Sequence, residues 1–192
     1  MKNIGTIELE TNRLLFRKAS TSDSKDMFNN WASDKEVTKY LSWDAYEKEE
    51  NAVSYLKYLE EEYIKDNFYN WIVVSKEDNT PIGTIGAVDI DIKNNTVEIG
   101  YCYGRKWWGK GLATESLKRV IKFFFEEAEV ETIYADHIDA NPASGKVMEK
   151  AGMKYEGIMR KRVLNKVTKK KADLIYYSIT KEDYFKGDNH EN

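Results

Sequence analysis

The chain has 192 residues, 41% of them hydrophobic and 13% aromatic, with a formal net charge of −3 and a pI near 5.6. That length suits a single domain with one good core, and the slight acidity gives no broad electrostatic reason to bind nucleic acid or an anionic membrane. A lone cysteine, Cys102, excludes an internal disulfide and a cysteine-rich metal site. No apolar run approaches the ~20 residues of a membrane span, and Met1 to Glu10 lacks the apolar segment of a signal peptide, so a soluble cytoplasmic protein is expected.

Arg13 to Arg17 is a short apolar run bracketed by charge, an expected opening strand. Ser20 to Asp23 supplies helix-capping residues, and Met27, Phe28 and Trp31 follow on one helical face. From Tyr46 to Lys65 the apolar positions Ala52, Leu56, Leu59 and Tyr63 recur at steps of four and three, which predicts an amphipathic helix. The connector between these helices carries Tyr40, Leu41, Trp43 and Tyr46. Three strands follow, at Tyr69 to Ser75, Ile82 to Ile92 and Thr96 to Tyr103. The turns between them are short, at Glu77 to Pro81 and Asn94-Asn95, so they form an antiparallel meander. Ala113, Leu117, Val120, Ile121, Phe124, Phe125 and Ala128 then recur at helical spacing. Thr132 to Asp139 returns as a strand. Asn141-Pro142 opens a helix with Asn at the N-cap and Pro at the first helical position, and Gly152 closes it. Residues 154 to 180 read as two strands around a basic turn, and Gly187 to Asn192 as a frayed tail. The result is an α/β domain built on one layered sheet, spanning residues 1–192 with its core at 8–184.

Between the third strand and the next helix lies Trp107-Trp108-Gly109-Lys110-Gly111-Leu112-Ala113-Thr114-Glu115. Two glycines one residue apart allow a tight turn and close approach of backbone to a ligand. The helix that follows directs its free N–H groups and positive dipole end to the same spot, which suits a phosphate or pyrophosphate. A dinucleotide fingerprint is a poor match, because Thr114 stands at the third glycine and the preceding strands form a meander.

Four segments in order resemble the GCN5-related N-acetyltransferase (GNAT) superfamily, most closely its ribosomal-protein N-terminal acetyltransferase (RimJ/RimL-type) branch. They are Thr11 to Arg17, Glu98 to Tyr101 followed by Trp108 to Glu115, Asn141 to Ser144 through Glu149 to Met153, and Asp173 to Thr180. The resemblance implies a mixed, mostly antiparallel twisted sheet of about seven strands flanked by about four helices. It also implies direct transfer of acetyl from acetyl-CoA to a primary amine, with no metal. Protein or peptide N-termini are the branch's usual acceptors. Relatives use small-molecule amines, and a non-catalytic acyl-CoA sensor is a further alternative. A monomer or homodimer is expected, without nucleic acid or membrane as partner. Where the superfamily places Gln or Arg ahead of the glycines, this chain has Trp108. The backbone amides of Lys110, Gly111, Leu112, Ala113 and Thr114 would still cradle the pyrophosphate, with Trp108, Gly109 and the Lys110 charge beside them. Tyr101, Cys102 and Tyr103 on the strand, and Asn141, Ser144 and Lys150 on the later helix, complete the implied cofactor contacts.

For deprotonating the amine, Glu98 is the candidate base; the alternative is an outward-facing glutamate in a surface ion pair. Oxyanion stabilisation is implied at the backbone N–H groups near Tyr101 to Tyr103, where the family strand bulges. Many relatives carry a tyrosine where this chain has Met148, which cannot donate a proton. Ser144 is then the nearest hydroxyl to return a proton to the thiolate, or else it caps the helix or binds cofactor. Asn141 has the same dual reading. Cys102 lacks a histidine motif and reads as core rather than as a nucleophile. His137 is either a proton relay or a structural histidine. Tyr40, Trp43 and Tyr46 form either an acceptor-binding wall or core, and the basic run Lys161 to Lys171 either faces an acidic acceptor or RNA, or is a solvated hairpin.

Overall fold

The computed structural model describes residues 1–188. Eight strands form one sheet: β1 (Leu9–Glu10), β2 (Leu14–Arg17), β3 (Asn70–Ser75), β4 (Thr80–Asp91), β5 (Thr96–Tyr103), β6 (Thr132–Ile138), β7 (Lys154–Leu164) and β8 (Lys171–Thr180). Their order is β1-β2-β3-β4-β5-β6-β8-β7. Every neighbouring pair is antiparallel except β5 and β6, which are parallel. The helices are α1 (Ser24–Met27, running on as a π-helical turn to Ala32), α2 (Lys35–Thr38), α3 (Glu49–Glu62), α4 (Leu112–Glu126), α5 (Pro142–Lys150) and α6 (Lys181–Asp188). The mixed, mostly antiparallel sheet is the expected one, with one strand and two helices more than anticipated. The additions are short: the two-residue β1, the one-turn α2, and α6, which includes Gly187 and Asp188 of the expected frayed tail. Residues 189–192, and with them His190, lie outside the described residues. Among the described residues, no helix is long and apolar enough to cross a membrane.

The sheet is covered on both faces, and alternation along each strand divides the core in two. On one face α4 buries Leu117, Val120, Ile121, Phe123, Phe124 and Phe125 against Val97, Ile99, Ile133 and Ala135. Phe123 and Phe124 meet Tyr69 and Trp71 with ring centroids 5.2–6.3 Å apart, several of them edge-to-face. Such ring pairs contribute about 0.5–1.5 kcal/mol each beyond their area. On the other face Met27, Trp31, Ala52, Leu56 and Leu59 from α1 and α3 pack on Ile72, Val74 and Cys102. This second cluster ends at Cys102, so the same face of β5 beyond it, at Glu98, is left without a covering helix.

One joint in the sheet positions the site. Strands β5 and β6 pair only over Thr96↔Thr132, Val97↔Ile133 and Glu98↔Tyr134. From there β5 runs on to Tyr103 against β4, while β6 runs on to Ile138 against β8. The two strands therefore part just beyond Glu98, and their facing edges open into a wedge.

Candidate active site

The glycine turn lies at the mouth of this wedge. Gly109 and Gly111 have φ of +72° and +78°, the left-handed region that glycine enters without strain. A β-carbon at Gly109 would meet nothing within 4 Å, so the turn is open on its outer side. Gly111 occupies the N-cap of α4 and has no side chain to cap it. The first helical bond runs from the Glu115 N–H to the Gly111 carbonyl at 3.0 Å, leaving the N–H groups of Leu112, Ala113 and Thr114 ahead of it. Free amides, a helix dipole and an uncrowded backbone make an anion cradle that fits a pyrophosphate. Trp108, 50% exposed, donates its indole N–H to the Tyr103 carbonyl at 2.6 Å, tying the turn to the end of β5.

The backbone of β5 has a definite orientation at the wedge. Gly104 donates to the Ile82 carbonyl at 2.9 Å, so alternation turns the N–H groups of Tyr101 and Tyr103 away from β4 and into the opening. The pairing of Tyr101 to Tyr103 with β4 is regular, which corrects the expectation of a bulge there. The irregularity falls instead on β4, where Val88 is the extra residue between Ala87 and Asp89. Its side chain lies over Gly100, where any β-carbon would come within 2.7 Å of it. The ring of Tyr103 is buried, so it faces the wedge through its backbone only, whereas Cys102 turns its backbone to β4 and its thiol into the second core cluster, which corrects the expectation of a cofactor contact there.

Glu98 is half-buried on the uncovered face, opposite Asp89 on β4 and beside Tyr134 on β6. Asp136 lies two residues along β6 on the same face, paired with Tyr176 of β8. Burial pushes the Glu98 carboxyl above its ordinary value, and the charges of Asp136 and Asp89 push it further, against the Tyr134 hydroxyl that favours its ionised form. Burial raises Asp136 as well. Tyr134 donates to Asp89 Oδ2 at 3.2 Å. Glu98 is thus a carboxylate of enhanced basicity among like charges, rather than one half of a surface ion pair. Asp89, Tyr134, Asp136 and Tyr176 also belong to this face, and no motif in the chain singles them out. Polar residues alternating with Ile133, Ala135 and His137 along one strand were the available signal.

Across the wedge, Tyr101 reaches α5. Its hydroxyl is 2.9 Å from Ser144 Oγ and 3.2 Å from the Ser144 carbonyl oxygen. Burial holds this phenol up at about 12. Met148 is buried in the core at 1% exposure, so α5 carries no phenol at that position. Asn141 stands at the N-cap of α5 without a side-chain cap bond, which frees its amide for other use. His137 is buried, its Nδ1 2.9 Å from the Ile138 carbonyl and its ring stacked on Tyr177, on the face away from Glu98. That geometry is structural. Cys102 is 8% exposed and burial pushes its thiol up to about 12, so it is no ready nucleophile. Lys150 lies exposed at the opposite end of α5 from Ser144.

The uncovered face is bordered by the α2–α3 connector. Trp43 and Tyr46 meet with ring centroids 5.4 Å apart and planes tilted by 44°, and they pack on the edge of the second core cluster. Tyr46 also donates its backbone N–H to Ala32 at 2.8 Å. Tyr40 is half-buried, with the Lys39 ammonium over its ring. The hairpin between β7 and β8 comes to the same place: Lys166 Nζ donates to the Trp43 carbonyl at 2.5 Å and pairs with Asp44 at 3.1 Å. Part of the basic run is therefore tied to the aromatic connector.

The profile of the acetyltransferase (GNAT) domain matches residues 13–154. An uncharacterized N-acetyltransferase, p20 of Bacillus licheniformis, is 30% identical over 92% of this chain and 97% of its own. The structure of a GNAT-family acetyltransferase from Bacillus anthracis superposes with a TM-score of 0.79 at 27% identity, covering 92% of this chain and 99% of that one. A ribosomal-protein-S5-alanine acetyltransferase from Vibrio fischeri shares the fold, with a TM-score of 0.80 at 21% identity over 93% and 98% of the two chains. The chain belongs to the GNAT family and is an N-acetyltransferase.

Proposed function

We propose that residues 8–184 work as one domain that transfers acetyl from acetyl-CoA directly to a primary amine, most simply the α-amine of a protein or peptide N-terminus. The observation that carries this reading is the position of Glu98 at the point where β5 and β6 part, between the anion cradle and the uncovered face. Acetyl-CoA supplies an acetyl group activated as a thioester. The amides of Leu112, Ala113 and Thr114 hold its pyrophosphate. The N–H groups of Tyr101 and Tyr103, on the open edge of β5, are the donors available to a carbonyl oxygen that gains charge. Glu98 accepts the amine's proton, directly or through water, and its raised basicity suits that task. The coupled hydroxyls of Tyr101 and Ser144 are the proton source for the departing sulfur. Trp43 and Tyr46, with Tyr40 beyond them, wall the acceptor's approach.

An α-amine has a pKa of about 7.7–8.0, against about 10.4 for a lysine side chain. One carboxylate of moderately raised basicity suits the easier deprotonation. The name of the Vibrio fischeri neighbour agrees with that choice. The carboxylates of Asp89 and Asp136 favour a second reading, a small amine carrying a further positive charge. Free-thiol release from acetyl-CoA, followed over a panel of N-terminal peptides, lysine and polyamines, separates the two. A turnover preference for peptides of at least tenfold supports the first reading. A preference for polyamines replaces it with the second.

A further inference from the structure

The turn between β1 and β2 does not line the wedge, yet it makes the densest set of polar contacts to the glycine turn and the first turn of α4. Arg13 Nε donates to Glu115 Oε2 at 2.6 Å, with Nη2 2.5 Å from the same oxygen. Arg13 Nη1 donates to the Lys110 carbonyl at 3.1 Å. Thr11 Oγ1 donates to Glu115 Oε1 at 2.5 Å and accepts the Leu14 N–H at 3.0 Å, so the turn is itself held rigid. A β-carbon on Gly111 would lie 3.7 Å from Arg13 Nη2, which places the guanidinium against the cradle's N-cap.

We infer that Arg13 is a positioning residue for the cofactor's pyrophosphate, screening the Glu115 charge and fixing the Lys110 carbonyl so that the cradle accepts an anion. This rests on the acetyl-CoA reading above. Glu115 lies in the first turn of α4, where a carboxylate interacts favourably with the helix dipole but repels a phosphate bound at the same end. The two-pronged contact to Arg13 cancels that charge in place. The contact to Lys110 keeps one carbonyl of the turn occupied by the guanidinium, so that the turn presents N–H groups to the cradle.

The test is acetyl-CoA binding by calorimetry for the wild type, Arg13→Gln, Glu115→Gln and the double variant, with the melting temperature of each. Arg13→Gln is expected to weaken binding by about tenfold, because an unpaired carboxylate then faces the phosphate. The double variant is expected to recover to within about threefold of the wild type. A purely structural role does not produce recovery, since the second substitution removes further contacts. Arg13→Lys keeps the charge but not the fork and is expected to fall between. Arg13→Gln binding within twofold of the wild type overturns the inference, as does a double variant as weak as Arg13→Gln. If Arg13→Gln does not fold, Arg13→Lys carries the test, and wild-type affinity in that variant overturns the inference. A wild type that fails to bind acetyl-CoA overturns the cofactor reading itself, which is a separate outcome.

Discussion

The Tyr101 hydroxyl lies 2.9 Å from Ser144 Oγ, joining the open edge of β5 to the first turn of α5 across the wedge. With the phenol held up at about 12, Tyr101 keeps its proton throughout the neutral range. If the pair acts as one proton source, Tyr101→Phe and Ser144→Ala each lower kcat by about ten- to a hundredfold. The double variant then falls little further than the worse single one, because coupled groups are non-additive. Steady-state rates of the three variants check this.

Glu98→Gln is expected to lower kcat/KM at neutral pH by about a hundredfold or more while leaving acetyl-CoA affinity within a few-fold. Burial and the charges of Asp136 and Asp89 raise the Glu98 carboxyl, so activity is lost, as pH falls, at a higher pH than for an ordinary glutamate. Asp136→Asn removes one of those charges and shifts this acidic limb to lower pH. A pH profile of kcat/KM that does not move in Asp136→Asn counts against Glu98 as the base.

Cys102→Ala is expected to retain kcat within about threefold, because the buried thiol pushed up to about 12 takes no part in transfer. Its cost is in packing against α1 and α3, about 1 kcal/mol, read as a lower melting temperature. Trapping an acetylated Cys102 by mass spectrometry after rapid quench is the result that would reverse this view.

Stability carries its own pH signature at Asp23, which is 5% exposed. Burial pushes its carboxyl up, but Arg17, at 2.7 and 2.9 Å, and the Ser20 N–H outweigh that and hold it below the ordinary range. A depressed folded-state value means stabilisation that is present above the unfolded value of about 3.9 and lost as pH falls through the folded one. Asp23→Asn is therefore expected to lower urea stability by about 2 kcal/mol at pH 7, with the gap to wild type closing at the acid end.

Lys166 joins the β7–β8 hairpin to the connector at Trp43 and Asp44. Lys166→Met frees both borders of the uncovered face. The expected result is an acceptor KM raised several-fold with the acetyl-CoA KM unchanged, measured with the best amine of the panel.

The donor side was legible in the chain because local chemistry makes it. Gly109 and Gly111 announce left-handed backbone, and the apolar spacing from Ala113 to Phe125 announces the helix whose end they cap. The bounds of β5 could be read outright, since Thr96 to Tyr103 lies between an Asn-Asn turn and a glycine. What pairs across long sequence distances could not be read. The surroundings of Glu98 come from three strands up to 78 residues away, and β-register is set by tertiary packing rather than by any one segment. Arg13 and Glu115 are likewise 102 residues apart. The expected bulge at Tyr101 to Tyr103 failed for a related reason: the extra residue settled on β4, where Val88 finds room above Gly100. Nothing local in the chain says that the Tyr101 ring crosses to α5.

The three residue pairs between β5 and β6 have a mechanical consequence. They are the whole ladder joining a five-strand half, β1 to β5, to a three-strand half, β6 to β8, and so they form a narrow seam between the two halves. On the proposed reading, a donor whose amide-bearing arm fills the wedge would bond to both margins and work as a staple. Catalysis and cohesion then share one crack, and saturation with acetyl-CoA will slow amide exchange at Tyr101 and Tyr103 on one bank and along Ala135 to Ile138 on the other.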